Sequence, residues 1–207
     1  QGRGTPSTYT ECFEFFLAPW PPGGDPQIDG DPSLAAHIVN NSWNCPPSEG
    51  CDHFTLQPVV EAVRAAGVLV VASAGNNGSA RRRPASPPGT SAARHTRGAS
   101  SAPGVAVRPA FPPDRYANLS GTSMAAPHVA GIYALLWSAY PSLIGQIDVS
   151  EALLNGSATR VVDLTCGPAG SPGYNHTYGW GHADAMAALR AAAGPPRLYL
   201  PMIVWGA

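Results

Sequence analysis

A chain of 207 residues is long enough to bury one substantial core or two small ones. Charged residues make up 12% and the formal net charge is −1, a balance that gives no reason to expect nucleic acid or an anionic membrane as partner. Glycine and proline number 23 each, so turns are frequent, while an apolar fraction of 44% supports a folded body. All twelve basic residues are arginine, read as coding bias and not as chemistry.

Residues 1–34 form a Gly/Pro-rich N-terminal segment with one apolar island, CFEFFLAPW, suited to a strand or a short helix. AAHIVNNSW (35–43) reads as a short buried strand ending in polar residues. LQPVVEAVRAAG (56–67) carries Leu56, Val59, Val60, Val63 and Ala66 at helical spacing, with Pro58 in its first turn and Gly67 just past its end. VLVVASAGNNG (68–78) follows as a β-branched run closing in a glycine-rich loop. Strand, helix, strand is a parallel βαβ unit, whose right-handed crossover puts Ser42 and Asn76 at one sheet edge, where α/β folds bind ligands.

Residues 79–102 show no periodicity and almost no large apolar side chain, and are expected as a disordered linker. Its arginines lack the interleaved aromatics of a nucleic-acid surface. MAAPHVAGIYALLWSAY is apolar nearly all round, as a buried helix is; Pro127 is tolerated only near its start, so the helix begins close to Ser123 and ends at Pro141. VSEALLNGSA and HADAMAALRAAAG read as two further helices, and 191–207 as an apolar tail, its end a possible edge strand. No run reaches the roughly 18 apolar residues of a membrane span. The chain begins at Gln1 with no signal-peptide pattern, and is expected to be a piece of a longer protein.

Four cysteines, Cys12, Cys45, Cys51 and Cys166, allow three pairings if all are bridged. Cys45 and Cys51 enclose a short loop suited to a local disulfide. The rival is a metal site adding His53 and His37, at a spacing that fits no zinc pattern well.

A serine in the first turn of a buried helix sits where free backbone N–H groups and the positive dipole end converge, which favours a developing oxyanion. The plainer reading of such a serine is a helix cap. The surrounding motif decides. SGTSMAAPHVAG (120–131), VVASAGNNG, IVNNSW and YGWGHADAMAAL together resemble, in family order, the subtilase family of subtilisin-like serine proteases. The resemblance implies an α/β, three-layer fold with a mainly parallel sheet flanked by helices, here incomplete, over 35–190. It implies Ser123 as nucleophile, Asn76 as oxyanion-hole donor with support from Thr122, and Ser42, Trp43 and Asn44 as substrate-binding residues. For Asn76 the rival is an ordinary turn residue, since GNNG is good turn chemistry. Asn44 stands where the family usually has glycine, so a side chain there narrows the pocket.

The family's D-[ST]-G and H-G-T-H motifs, which mark the Asp and the His of its Asp-His-Ser order, do not occur here. His128 lies five residues past Ser123, about 140° around the helix from it, and matches the family's packed, hydrogen-bonded structural histidine. His37 lies in the cleft strand and His95 in the linker. Asp25, Asp29 and Asp31 sit among Gly and Pro as turn residues. The resemblance therefore implies a secreted serine endopeptidase acting on polypeptides, present as a fragment that is inactive alone. The alternatives are a peptide-binding pseudoprotease or a truncated product. No cofactor is assignable; calcium is a family property for which no ligand cluster stands out.

Overall fold

A computed structural model describes residues 4–52, 54–76, 90–95, 98–163 and 173–194, of which 90–95, 98 and 99 are described by backbone alone. Helix α1 spans Pro6–Leu17. Thr5 caps it by accepting from the Thr8 amide, and the Thr8 hydroxyl returns the bond to the Thr5 amide, with Pro6 in the first turn. The apolar island is thus the end of a longer helix, and its Phe13 is buried.

Strand β1 covers Ile38–Asn41, helix α2 covers Gln57–Ala65, and strand β2 covers Leu69–Ser73. β1 and β2 pair in parallel, Ile38 opposite Leu69 through Asn41 opposite Ala72, as the βαβ reading requires. Gly67 reverses the chain between α2 and β2 at φ +88°, a conformation that suits a residue without Cβ.

Strands β3 (Thr90–His95) and β4 (Gly98–Pro103) follow, so the linker expected over 79–102 is corrected in its second half; residues 77–89 lie outside the described residues. The cause is tertiary. The open side of β2 accepts β3 antiparallel, and β4 folds back on β3 after only two residues, which a parallel crossover could not span. The sheet order is β1-β2-β3-β4. The α/β class holds, with one parallel pair from the βαβ unit and two antiparallel pairs from the hairpin. A small ribbon, β5 (Ala110–Phe111) with β6 (Arg115–Tyr116), leads on to the long helix.

Helix α3 runs Thr122–Ala139, α4 Ile147–Ser157 and α5 Ala185–Ala193. The alternation of β2 divides the core. Leu69 and Val71 face α3, α4 and α5, where Val129, Tyr133, Leu136 and Leu154 are fully buried. Val68 and Val70 face the opposite layer, with Phe13 of α1, Val39 of β1 and Val63 of α2. Helices therefore cover both faces of the sheet in three layers. The N-terminal segment contributes α1 to one of them. Of the tail expected over 191–207, residues 191–193 belong to α5 and 195–207 lie outside the described residues.

Candidate active site at the start of helix α3

The candidate nucleophile, oxyanion-hole and substrate-binding residues gather where β1 and β2 end against the first turn of α3. A pocket of about 210 Å³ is lined by Ser42, Trp43, Asn44, Asn76, Thr122 and Ser123, with Ser73, Ala74 and Gly75. Ser42 and Asn76 share this end because their strands are parallel.

The glycine before α3 makes the close approach possible. Gly121 has φ +156°, and a Cβ there would come within 3.1 Å of Asn76 Nδ2 and 3.3 Å of Oδ1. Asn76 Oδ1 accepts from the Thr122 amide at 2.8 Å and from the Thr122 hydroxyl at 3.0 Å. The Thr122 hydroxyl in turn accepts from the Gly75 amide at 3.1 Å. With Oδ1 held by two donors, the donor that Asn76 has left to offer is its Nδ2 amide. Thr122 is itself buried, 2% exposed, so it fixes that orientation from beneath.

Ser123 lies in the first helical turn, where its amide precedes the i→i−4 ladder. Its carbonyl is also exceptional. Four residues on stands Pro127, which has no N–H to give it. The Ser42 hydroxyl supplies the missing donor, reaching the Ser123 carbonyl at 2.8 Å. The Ser123 hydroxyl donates to the Ser42 carbonyl at 3.0 Å, and Asn40 Nδ2 donates to the Ser42 hydroxyl at 3.0 Å. The end of β1 is thereby clamped to the start of α3.

Among the described residues, no His, Asp or Glu lines this pocket. His37 stands at the other end of β1, about 16 Å away along the strand from Ser42, edge-on to Trp137. His128 Nδ1–H donates to the Met124 carbonyl at 2.8 Å; it is hydrogen-bonded as expected, but it is exposed and not packed in the core. With Pro127 it lies on the exposed side of α3, while Ala126 and Val129 turn inward, which corrects the reading of a core histidine. His182 meets the buried Ser101 hydroxyl at 2.9 Å, and His176 lies against Tyr174. His53 lies outside the described residues, and the side chain of His95 is not described. Asp29 accepts from the Asp25 amide and Asp31 from the Ser33 amide, the turn roles expected of them.

One feature of the cleft wall carried no signal in its own strand. Tyr9 of α1 stacks on Trp43 with ring centroids 4.4 Å apart and planes 14° from parallel. The Tyr9 hydroxyl donates to Glu49 Oε2 at 2.6 Å, a bond that pushes the phenol pKa above its ordinary value, with burial adding to the shift. Cys45 and Cys51 form a disulfide with Cα atoms 5.5 Å apart, closing the loop that follows Trp43 and Asn44, so the metal alternative for this pair falls. Among the described residues no three His, Cys, Asp or Glu side chains gather as a metal ion would require.

A serine at a helix start beside an oriented amide donor is an arrangement that α/β serine hydrolases use to stabilise an oxyanion. The comparisons agree. A family model described as the subtilase family matches residues 98–181. Bacillopeptidase F of Bacillus subtilis (strain 168) is 30% identical over 95% of this chain, which spans 16% of that protein. Subtilisin Savinase of Lederbergia lenta is 34% identical over 74% of this chain and 56% of its own length. The solved structure of a protease from Pseudoalteromonas arctica PAMC 21717 shares the fold, with a TM-score of 0.56 at 23% identity, covering 91% of this chain and 59% of that one. The chain belongs to the subtilase family, a family of serine-type hydrolases. It spans between 16% and 57% of the length of the curated relatives it matches.

Proposed function

We propose that these residues are the nucleophile-bearing part of a secreted subtilisin-like endopeptidase that hydrolyses polypeptides through a serine acyl-enzyme. The observation that carries the reading is the shared position of Ser123 and Asn76 at the start of α3. The Ser123 hydroxyl attacks the scissile carbonyl. Its oxyanion forms beside the Ser123 amide and the Asn76 Nδ2 donor, which Thr122 holds in orientation. Ser42, Trp43 and Asn44 form the wall against which the substrate lies. The base that takes the Ser123 proton, and the carboxylate that orients it, come from polypeptide outside these 207 residues. The disulfide after the cleft strand supports an oxidising, extracellular setting.

Serine attack without a base is slow: in subtilisin, loss of the serine or the histidine alone costs about 10⁶ in kcat. The purified 207 residues are expected to hydrolyse fluorescein-labelled casein at background rate, unchanged by Ser123→Ala. Hydrolysis that depends on Ser123 would overturn the view that the base lies elsewhere.

A second reading, a peptide-binding pseudoprotease, draws support from the Ser123 proton being engaged by the Ser42 carbonyl in a pocket that, among the described residues, no basic side chain lines. The coding sequence before Gln1 separates the two. D-[ST]-G and H-G-T-H motifs there favour the protease, and the absence of both favours the binder. A cooperative thermal melt of the chain excludes the third reading, a truncated product without a fold.

A further inference from the structure

Residues 104–121, just before the Ser123 turn, fold into one two-stranded arm that contains β5 and β6. The Gly121 amide bonds to the Gly104 carbonyl at 2.7 Å, and Val107 and Leu119 exchange both backbone bonds at 3.0 and 2.8 Å. Ala110 and Phe111 then pair with Tyr116 and Arg115 in the same register. Ser120 fixes the root, its hydroxyl accepting from the amide of Ala106, which is held at φ +52°. Alternation puts Arg108 and Tyr116 on one face of the arm and Phe111 and Arg115 on the other. On each face a guanidinium lies over a ring. Arg108 Cζ is 5.2 Å from the Tyr116 centroid, and Arg115 Cζ is 4.9 Å from that of Phe111. Both arginines are exposed and Tyr116 is 64% exposed. Among the described residues neither arginine forms an ion pair, with Asp114 or with any other carboxylate. Each is stacked in place with its N–H edge open, the state in which a guanidinium loses least on taking a carboxylate.

We infer that this arm is a docking site for two neighbouring acidic residues of a polypeptide, a few residues from the bond that Ser123 attacks. The choice of polypeptide rests on the reading above of Ser123 as nucleophile. The acidic pair follows from the geometry. Tyr116 lies opposite Ala110 and Arg115 opposite Phe111, so the two guanidinium groups are held at successive levels of the ribbon and on opposite faces. Successive residues of an extended segment rise about 3.3 Å and point to opposite sides. A segment laid along the arm's edge therefore offers one carboxylate to each arginine only when its acidic residues are neighbours. Among the described residues the ribbon has two strands and both outer edges are open. From Leu119 near the root to Tyr116 the arm runs about 10 Å, which extended polypeptide crosses in about three residues. On a chain of net charge −1, two arginines against one aspartate make the arm locally positive. Nucleic acid fits less well, because the guanidinium groups occupy the ring faces on which bases would stack.

The probe is a blocked, fluorescein-labelled peptide with two neighbouring glutamates among glycines and serines. Its binding to the full chain is read by fluorescence anisotropy. It is expected to bind about tenfold more tightly than the same peptide with glutamines, because two charge-assisted bonds are gained. It is also expected to bind more tightly than a peptide whose glutamates are separated by a glycine. Arg108→Gln and Arg115→Gln are each expected to cut the preference for glutamate to about threefold, and together to abolish it. Arg190→Gln removes the same charge from the last turn of α5 and is expected to leave the preference unchanged; a cooperative melt shows that each variant folds. Equal binding of the glutamate and glutamine peptides overturns the inference on the parent chain alone, as does equal binding of the separated glutamates. A preference that survives in the double variant, or that Arg190→Gln abolishes, overturns it too, and so does tighter binding of an oligothymidylate. No bond is cleaved in the measurement, so the inference succeeds or fails separately from the hydrolysis test.

Discussion

Ser42 and Ser123, 81 residues apart in sequence, each donate a hydroxyl hydrogen bond to the other's carbonyl, at 2.8 and 3.0 Å. The first of these bonds exists because Pro127 has no N–H to offer the Ser123 carbonyl. Ser42→Ala is therefore expected to cost about 1–2 kcal/mol, the penalty of leaving a part-buried acceptor unpaired. Pro127→Ala restores a helical donor to the same carbonyl. In that background Ser42→Ala is expected to cost less than half as much, a coupling that denaturant titration of the four proteins of the cycle measures directly. Additive costs would show that the two residues do not share the Ser123 carbonyl.

Asn76 joins two roles that one pair of substitutions separates. Its Oδ1 holds Thr122, and its Nδ2 is the donor assigned to the oxyanion. Asn76→Asp keeps an oxygen for the Thr122 amide and hydroxyl and places a negative charge near a helix N-terminus, where it is tolerated. Asn76→Ala removes both contacts. The Asp variant is expected to melt close to the parent, and the Ala variant to lose about 1 kcal/mol. In a protein carrying the whole catalytic domain, both are expected to lose about 10²–10³ in kcat with KM little changed, the range established for such a donor in subtilisin. An Asp variant with near-parental kcat would remove Asn76 from the oxyanion site.

The βαβ unit and the start of α3 were legible in sequence because burial imposes a period. Leu56, Val59, Val60 and Val63 repeat as a helix face, Leu69 to Val71 form a β-branched run, and Pro127 restricts where α3 begins. The β3–β4 hairpin was not legible. TSAARH and GASSAP hold no large β-branched or aromatic residue, and they pair because β2 presents an open edge; tertiary pairing overrides propensity there. The stack of Tyr9 on Trp43 joins residues 34 apart in different layers, and no local pattern encodes it. The Ser42–Ser123 clamp lies between these cases. Pro127 shows that the Ser123 carbonyl lacks its helical donor, but only the fold shows which hydroxyl replaces it.

A buried ion pair ties α2 to α4. Arg64 donates to Glu151 Oε1 at 2.8 Å and Oε2 at 3.1 Å, and also pairs with Asp148. Burial works against the arginine's charge, and the two carboxylates, Glu151 foremost, more than offset it, so its pKa is raised. The Glu151 side chain is 4% exposed and that of Asp148 67%. Glu151→Ala takes the buried carboxylate away from the guanidinium and is expected to cost about 3 kcal/mol, the low end for a broken buried pair because Asp148 remains. Asp148→Ala is expected to cost under about 1 kcal/mol, as exposed pairs do. Replacing Arg64 and Glu151 together by Met and Leu should recover most of the Glu151→Ala loss in chemical denaturation. A double variant as unstable as Glu151→Ala would mean that lost packing, and not the stranded charge, sets the cost.

The Tyr9–Glu49 bond gives the cleft wall a pH dependence whose sign is determined. Glu49 accepts from the phenol only while the phenol is protonated, so the folded pKa lies above the ordinary value of 10.0. A group with a raised folded pKa stabilises fully below its unfolded pKa, and that contribution is lost as pH rises through the folded value. The tether is therefore intact across neutral pH and released only in strong alkali, later than for a free tyrosine. Difference absorbance at 295 nm, parent minus Tyr9→Phe, is expected to show Tyr9 ionising above pH 10. Glu49→Gln should bring that midpoint down toward 10.0. Tyr9→Phe keeps the ring on Trp43, whereas Tyr9→Ala uncovers the indole and is expected to red-shift its emission, read as the difference from a Trp43→Phe control. An unshifted Tyr9 midpoint in the parent would show that Glu49 does not hold the ring, leaving stacking alone to position Trp43.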